Sequence, residues 1–291
     1  MKVEFPSELA VYLADSVRAA RRRYRTRLAR CQERFSEKAV HELRIETRRV
    51  LAMIDLLRTL HFGDALDRTR KGFKKRLDAF DDLRDTHVQL GLLKPFWREF
   101  PESLQLRVLL RRRERRLVEQ LRSGIKAMRS KRFNRRLKQI EKALRRCGRA
   151  RTPTIGTASA EAALRQAFAR VVRLRRLARR SRTATLHRLR VAFKRYRYMT
   201  ELLQPFLFQR TLPLLDRMKQ YQAMAGDIQD LEVLLARVAD AVKDGALTPA
   251  EVRHLRRELL RRRRRAIDAF MAKADDVFEF QPEDSRQVPG S

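Results

Sequence analysis

This sequence is poor in residues that interrupt helices and in residues that mark metal or disulfide sites. Its 291 residues include nine glycines, nine prolines and two cysteines. Cys31 and Cys147 are far apart, and the chain has no CxxC or Cys–His pair, which argues against structural zinc and a disulfide framework. No stretch approaches the length of an apolar membrane span, and the N-terminus has no apolar signal core. We therefore expect a cytoplasmic chain without a membrane span.

Negative charge is also scarce. Lys and Arg number 70 against 35 Asp and Glu, so the formal net charge is +35. Because 43% of the residues are hydrophobic, the chain can still bury a core, and the charge does not indicate disorder. An excess of this size repels itself unless a polyanion or counterions neutralise it. The expected partner is therefore polyanionic: nucleic acid, polyphosphate or an anionic membrane surface.

Apolar residues recur every three or four positions, which predicts amphipathic helices, and the runs typical of β-strands are missing. The predicted fold class is all-α. Breakers divide the pattern into helices at 7–30, 37–61, 64–94, 102–128, 130–147, 159–180, 183–204, 209–243 and 248–274. Periodicity is lost at 148–158, which we interpret as a linker. Residues 276–291 are expected to form a disordered tail.

An internal repeat relates the two sides of this linker. VHELRIETRRVLAMIDLLRTLHF (40–62) aligns without a gap with LHRLRVAFKRYRYMTELLQPFLF (186–208), at the 146-residue offset from His41 to His187. Two further helices match in the same order: DLRD (82–85) with DIQD (227–230), and LLRRRERRL (109–117) with LLRRRRRAI (259–267). The repeat predicts an internal duplication, with halves at 1–147 and 159–275. Two such halves pack most simply as two four-helix bundles related by a pseudo-twofold axis.

Each copy of the first repeat carries a cationic stripe off its apolar face. His41, Arg44 and Arg48 follow three- and four-residue spacing, and His187, Arg190 and Lys194 repeat the arrangement. Such a row can meet a linear polyanion along its length, with arginine making forked contacts to phosphate oxygens and lysine supplying a point charge. A histidine adds a donor whose charge changes near neutral pH.

The segments HELRIETRR (41–49) and HRLRVAFKRYRY (187–198) resemble the two signature helices of the CHAD family, the conserved histidine α-helical domain. The resemblance extends over about 7–275. It implies two helical bundles with a basic surface or channel between them, binding of inorganic polyphosphate and association with polyphosphate granules. Some family members are fused to a triphosphate-tunnel hydrolase domain, whose E-x-E-x-K motif this chain lacks, so we expect no enzymatic activity and no cofactor.

Carried over residue by residue, the resemblance predicts these polyphosphate contacts: His41, Arg44, Arg48, Arg49, His187, Arg190, Lys194, Arg195 and Arg197. We add three lysines of the following helices as further expected contacts: Lys74, Lys75 and Lys219. Further stripes on the first helix and its counterpart add Arg18, Arg22, Arg25, Arg173 and Arg176. The first copy has Leu51 where the second has Arg197, which predicts stronger binding by the C-terminal half.

Two alternatives remain open at this point. The same basic surface could bind nucleic acid through counterion release, although helix-turn-helix, RRM and KH signatures are missing and aromatic residues make up only 7% of the chain. The acidic residues of the second repeat could hold a metal, although pairs of carboxylates three residues apart make a weak site. We favour ion pairs that orient the stripe arginines, and no metal, for Asp82, Asp85, Asp227 and Asp230.

Overall fold

The computed structural model describes residues 6–60, 65–127, 130–149, 156–207 and 212–282. Nearly all of these residues lie in helices and none in a β-strand, which confirms the all-α prediction. The α-helices are α1 (Pro6–Glu33), α2 (Glu37–Thr59), α3 (Ala65–Ala79), α4 (Asp81–Leu93), α5 (Glu102–Ala127), α6 (Ser130–Cys147), α7 (Thr157–Leu177), α8 (Thr183–Leu207), α9 (Leu212–Lys243) and α10 (Arg253–Ala272). Short 3-10 helices span Lys94–Phe96 and Ala274–Phe280. No helix within these ranges has the length and hydropathy that a membrane span needs.

Helices α2 and α8 form the centre of the molecule. The predicted apolar stripe of α2 is buried from Val40 to Leu57, and α8 is buried on nearly every side from Tyr196 to Met199. The two helices pack against each other, α4 packs against α9, and α2 also contacts α4 while α8 contacts α9. Four helices, two from each side of the predicted linker, therefore meet at the centre.

The apolar core does not divide at the linker. One large cluster joins α1, α2, α3 and α6 to α7, α8 and the first half of α9. A smaller cluster joins the end of α4 and the start of α5 to the second half of α9 and the start of α10. Because each cluster draws on both sides of the linker, burial of apolar surface holds the two sides together. The internal duplication itself stays a prediction from the sequence.

The helix predicted at 64–94 is interrupted, which corrects the sequence interpretation. Phe80 leaves the helical path between α3 and α4, with φ −102° and ψ 3°. Its backbone N–H donates to the carbonyl of Leu77 at 3.2 Å, and its ring is buried in the larger cluster. Neither glycine nor proline marks this break. The break coincides with burial of the Phe80 ring, which the sequence pattern does not reveal. The aligned part of α9 continues without interruption.

The start of the expected disordered tail is also ordered. Ala274, Val277 and Phe280 of the second 3-10 helix are buried, and the hydroxyl of Tyr196 donates to the carbonyl of Phe280. Apolar contacts with α7, α9 and α10 hold this segment. Residues 283–291 of the expected tail and 150–155 of the predicted linker lie outside the described residues.

Candidate functional site

Four predicted contact residues come together where α2 meets α8. Arg44 and Arg48 lie one turn apart on α2, and Arg190 and Lys194 lie one turn apart on α8. They are close enough that the charges of Arg44, Arg48 and Arg190 each lower the pKa of Lys194. We call Arg44, Arg48, Arg190 and Lys194 the central cation cluster. Helix packing therefore gathers cations from sequence positions nearly 150 residues apart into one group.

Three members of this cluster lack a direct counter-ion. Within the described residues, Arg48, Arg190 and Lys194 have no carboxylate within 4.0 Å, and the buried Nε of Arg190 has no hydrogen-bond partner. Burial, followed by repulsion from the neighbouring arginines, lowers the pKa of Lys194 to about 6 and that of Arg48 to about 10. Three members of the cluster are thus partly dehydrated and have no direct counter-ion.

Arg44 differs from the other three. It is buried, donates from Nη1 to the carbonyl of Leu77 at 2.8 Å, and forms an ion pair through Nη2 with Asp81. Helix α4 begins at Asp81, one residue after Phe80 separates it from α3, and α4 packs against α2, which brings Asp81 to Arg44. Both terminal nitrogens of the Arg44 guanidinium therefore already have an acceptor, which leaves fewer N–H donors for a ligand.

Two carboxylates lie near the cluster without closing an ion pair. Burial raises the pKa of both Asp85 on α4 and Asp230 on α9, and the stripe arginines oppose that rise. The charge of Asp230 also raises the pKa of Asp85, so the two carboxylates lie near each other. Asp85 and Asp230 therefore offset part of the local positive charge without forming an ion pair with any of the four cluster residues.

The two histidines have different surroundings. Burial and the charges of Arg84 and Arg48 lower the pKa of His41, which favours its neutral form. The exposed His187 donates from Nδ1 to the side-chain oxygen of Gln229. Arg84 and Gln229 occupy aligned positions in the second repeat. The two aligned histidines therefore have different neighbours: His41 lies near the cation of Arg84, and His187 contacts the amide of Gln229.

Three predicted contact residues on α2 and α8 are occupied by neighbours in the fold. Arg49 pairs with Glu201 at 2.6 Å and Arg195 with Asp55 at 3.5 Å. Arg197 is buried, donates to Gln222 at 2.9 Å, and stacks on the ring of Tyr198 with its guanidinium carbon 4.3 Å from the centroid. Arg197 is therefore occupied within the fold. The prediction of stronger binding by the C-terminal half, which depended on Arg197, loses its basis.

The remaining predicted contacts lie on exposed faces. Lys74 pairs with Asp78 and Lys219 with Asp216, each within its own helix, and Lys75 is exposed. The structure does not bring these lysines into the central cation cluster. The stripe arginines of α1 and α7 are likewise exposed: Arg18, Arg22, Arg25, Arg173 and Arg176.

The predicted ion pairs between the acidic residues of the second repeat and the stripe arginines are not formed. Asp82 pairs with Arg113 on α5 at 2.8 Å, away from the stripes, and Asp85, Asp227 and Asp230 have no basic group within 4.0 Å among the described residues. Asp81, one position earlier, is the residue that pairs with a stripe arginine. No group of three or more His, Cys, Asp or Glu in the described ranges is placed to hold a metal ion.

Sequence reasoning missed two residues of this site. Arg84 lies close enough to His41 and Asp230 to shift the pKa of each, and it pairs with Glu37 at 3.0 Å. Its place inside the aligned DLRD segment was a signal that could have identified it. Asp81 lies just outside that segment, and the packing of α4 against α2 brings it to Arg44.

Comparisons with known proteins agree with this architecture. The CHAD domain family model matches residues 15–239. The crystal structure of the CHAD domain from the plant Ricinus communis is similar to this chain, with a TM-score of 0.68 at 16% identity, over 92% of this chain and 91% of that one. A search of curated proteins found no match. At this identity the structural likeness shows the fold alone, whereas the family model covers most of the sequence. The chain belongs to the CHAD domain family.

Proposed function

We propose that this protein binds inorganic polyphosphate at the central cation cluster and acts by binding, without catalysis. The observation that carries the proposal is the group of three half-buried cations, Arg48, Arg190 and Lys194, that lack a carboxylate within 4.0 Å. Unpaired, partly dehydrated charges raise the free energy of the folded protein, and an anion that enters the cluster supplies the missing partners. Perturbed pKa values of this kind are common at functional sites.

A linear phosphate chain suits this site better than a nucleic acid does. The cations follow two helices that pack against each other, so successive phosphates can meet successive cations. Tyr198 is an aromatic residue near Arg48, and it is buried beneath Arg197, so it offers no face for stacking a base. The resemblance to the CHAD family supports the same ligand. We extend the proposal to association with polyphosphate granules in the cytoplasm.

Calorimetric titration tests this proposal. The full-length protein is titrated with long-chain polyphosphate, single-stranded RNA and duplex DNA at matched phosphate concentration and about 0.15 M salt. We expect polyphosphate to bind most tightly. Equal or tighter binding of DNA or RNA would contradict the choice of ligand.

A pair of matched variants tests the site. Arg48→Gln with Lys194→Gln removes two charges from the cluster, and Arg256→Gln with Arg257→Gln removes two from an exposed face of α10. We expect the first pair to weaken polyphosphate binding about tenfold or more and the second by less than about threefold, since surface charge contributes only a diffuse attraction. Equal losses would show that binding is spread over the surface.

A further inference from the structure

Arg44 and Arg190 occupy aligned positions, 146 residues apart, yet their surroundings differ. Arg44 forms an ion pair with Asp81 and donates to the carbonyl of Leu77. Among the described residues, Arg190 has no carboxylate within 4.0 Å, and its buried Nε has no hydrogen-bond partner. One of the two equivalent arginines is therefore occupied in the free protein, and the other is available.

The difference arises from one position on the facing helices. Asp81 on α4 aligns with Gly226 on α9, at the 145-residue offset that relates Asp82 to Asp227. A Cβ added at Gly226 would lie 3.9 Å from Nε and 4.0 Å from Nη2 of Arg190. Gly226 thus faces Arg190 as Asp81 faces Arg44, without a carboxylate.

The two side chains of the Arg44–Asp81 pair also differ in their solvent exposure. The side chain of Asp81 is 49% exposed, whereas that of Arg44 is 5% exposed. Asp81 can turn into solvent when a competing anion arrives, while Arg44 stays in place. Displacement of an exposed carboxylate costs little, since a half-exposed ion pair contributes only modest stability.

From this contrast we infer that Asp81 is an internal competitor of the polyanion and makes the two ends of the site unequal. This inference rests on the proposed function and deepens it. A phosphate chain first engages Arg190 and Lys194 on α8, where no ion pair has to be broken, although Asp85 and Asp230 lie near Arg190. Arg44 joins only when a phosphate replaces Asp81. A chain too short to reach from α8 to Arg44 gains nothing from that replacement, so the competition by Asp81 acts mainly on longer chains.

Two charge swaps with matched controls test the inference by titration with polyphosphate. Asp81→Asn removes the competitor, and Asp82→Asn removes the same charge from the same first turn of α4 while leaving the Arg44 pair intact. We expect Asp81→Asn to tighten binding about five- to tenfold and Asp82→Asn to change it less than about twofold. Tripolyphosphate should respond less to Asp81→Asn than a long chain does.

The second swap builds the competitor at the other arginine. Gly226→Asp places a carboxylate beside Arg190, and Gly226→Asn has nearly the same size without the charge. We expect Gly226→Asp to weaken binding about tenfold and Gly226→Asn to stay close to the parent protein. This arm leaves the Arg44–Asp81 pair untouched, so it remains informative if Asp81→Asn fails to fold, which circular dichroism would reveal.

The outcomes separate this inference from the proposed function. If the parent protein does not bind polyphosphate, the proposed function fails and the inference falls with it. If the parent binds and each charge swap behaves like its control, the site stands and the competition by Asp81 is wrong. Tighter binding by Asp81→Asn together with weaker binding by Gly226→Asp supports both.

Discussion

The guanidinium of Arg49 on α2 lies 2.6 Å from the carboxylate of Glu201 on α8. The residues aligned with them form the reverse pair, in which Arg195 on α8 lies 3.5 Å from Asp55 on α2. Each helix thus donates one arginine and one acid to the other, as a twofold axis between α2 and α8 would require. These pairs connect the two central helices and withdraw Arg49 and Arg195 from the site.

The two acids of these reciprocal pairs should contribute unequally to stability. Asp55 is buried and pairs with Arg58, Arg70 and Arg195, whereas Glu201 is partly exposed and pairs with Arg49 and Arg197. We expect Asp55→Asn to lower the free energy of unfolding by about 2 kcal/mol, because this buried carboxylate is the shared acid of Arg70 and Arg195, whose side chains are partly exposed. Glu201→Gln should lower it by about 1 kcal/mol. Chemical denaturation measures both values, and equal losses would contradict the burial argument.

Neutralising the central cation cluster should stabilise the protein while it weakens binding. Burial and the neighbouring arginines lower the pKa of Arg48 and Lys194, and neither residue has a carboxylate within 4.0 Å in the described part of the chain, so ordering each side chain in the ligand-free fold costs free energy. We expect Lys194→Met to raise the free energy of unfolding by about 1 kcal/mol and to weaken polyphosphate binding. Thermal unfolding and titration of the same sample measure the two effects. A variant that is both less stable and weaker in binding would indicate a packing role for Lys194.

Polyphosphate binding should take up protons near neutral pH. Burial and the neighbouring arginines lower the pKa of Lys194 to about 6, so its amine is mostly neutral at pH 7.5 in the free protein. A bound phosphate chain favours the ammonium form and raises this pKa. Affinity should therefore increase as the pH falls from about 8 to 6, with His41, whose pKa is also lowered, adding to the effect. Calorimetry in buffers of different ionisation enthalpy measures the uptake, which Lys194→Met should reduce.

The same lowered pKa fixes the sign of a stability effect in the free protein. Between pH about 6 and 10 the unfolded chain carries a proton on Lys194 that the folded chain lacks, so the free energy of unfolding rises with pH in this range. Below pH about 6 both states are protonated and the full penalty is present. Lys194→Met should flatten this rise relative to the parent protein. Identical pH profiles would show that Lys194 is charged in the folded state.

Binding should also depend steeply on salt. If about six to ten phosphates are neutralised, affinity should fall by orders of magnitude between about 50 and 200 mM salt, by analogy with duplex DNA. Removing Arg48 should reduce the slope of log affinity against log salt by about 1. Exposed Arg256, removed alone, serves as the comparison. A flat salt response of the parent protein would contradict electrostatic binding.

The sequence by itself determined the local features of this protein. Three- and four-residue spacing predicted the helices and placed Arg44 with Arg48, and Arg190 with Lys194, on shared faces. It could do so because the pitch of an α-helix is fixed by its backbone hydrogen bonds, whatever lies around it. The repeat, read from the residues alone, also indicated which two helices carry matching stripes.

Tertiary structure alone decided which of these cations are free. Arg49, Arg195 and Arg197 look like Arg48 and Lys194 in the sequence, yet acids or amides from distant positions occupy them. The ion pair between Arg44 and Asp81 likewise depends on the packing of α4 against α2. Whether a charge finds a partner depends on how helices far apart in the sequence pack, and a few ångströms of that packing separate a neutralised arginine from one that can bind an anion.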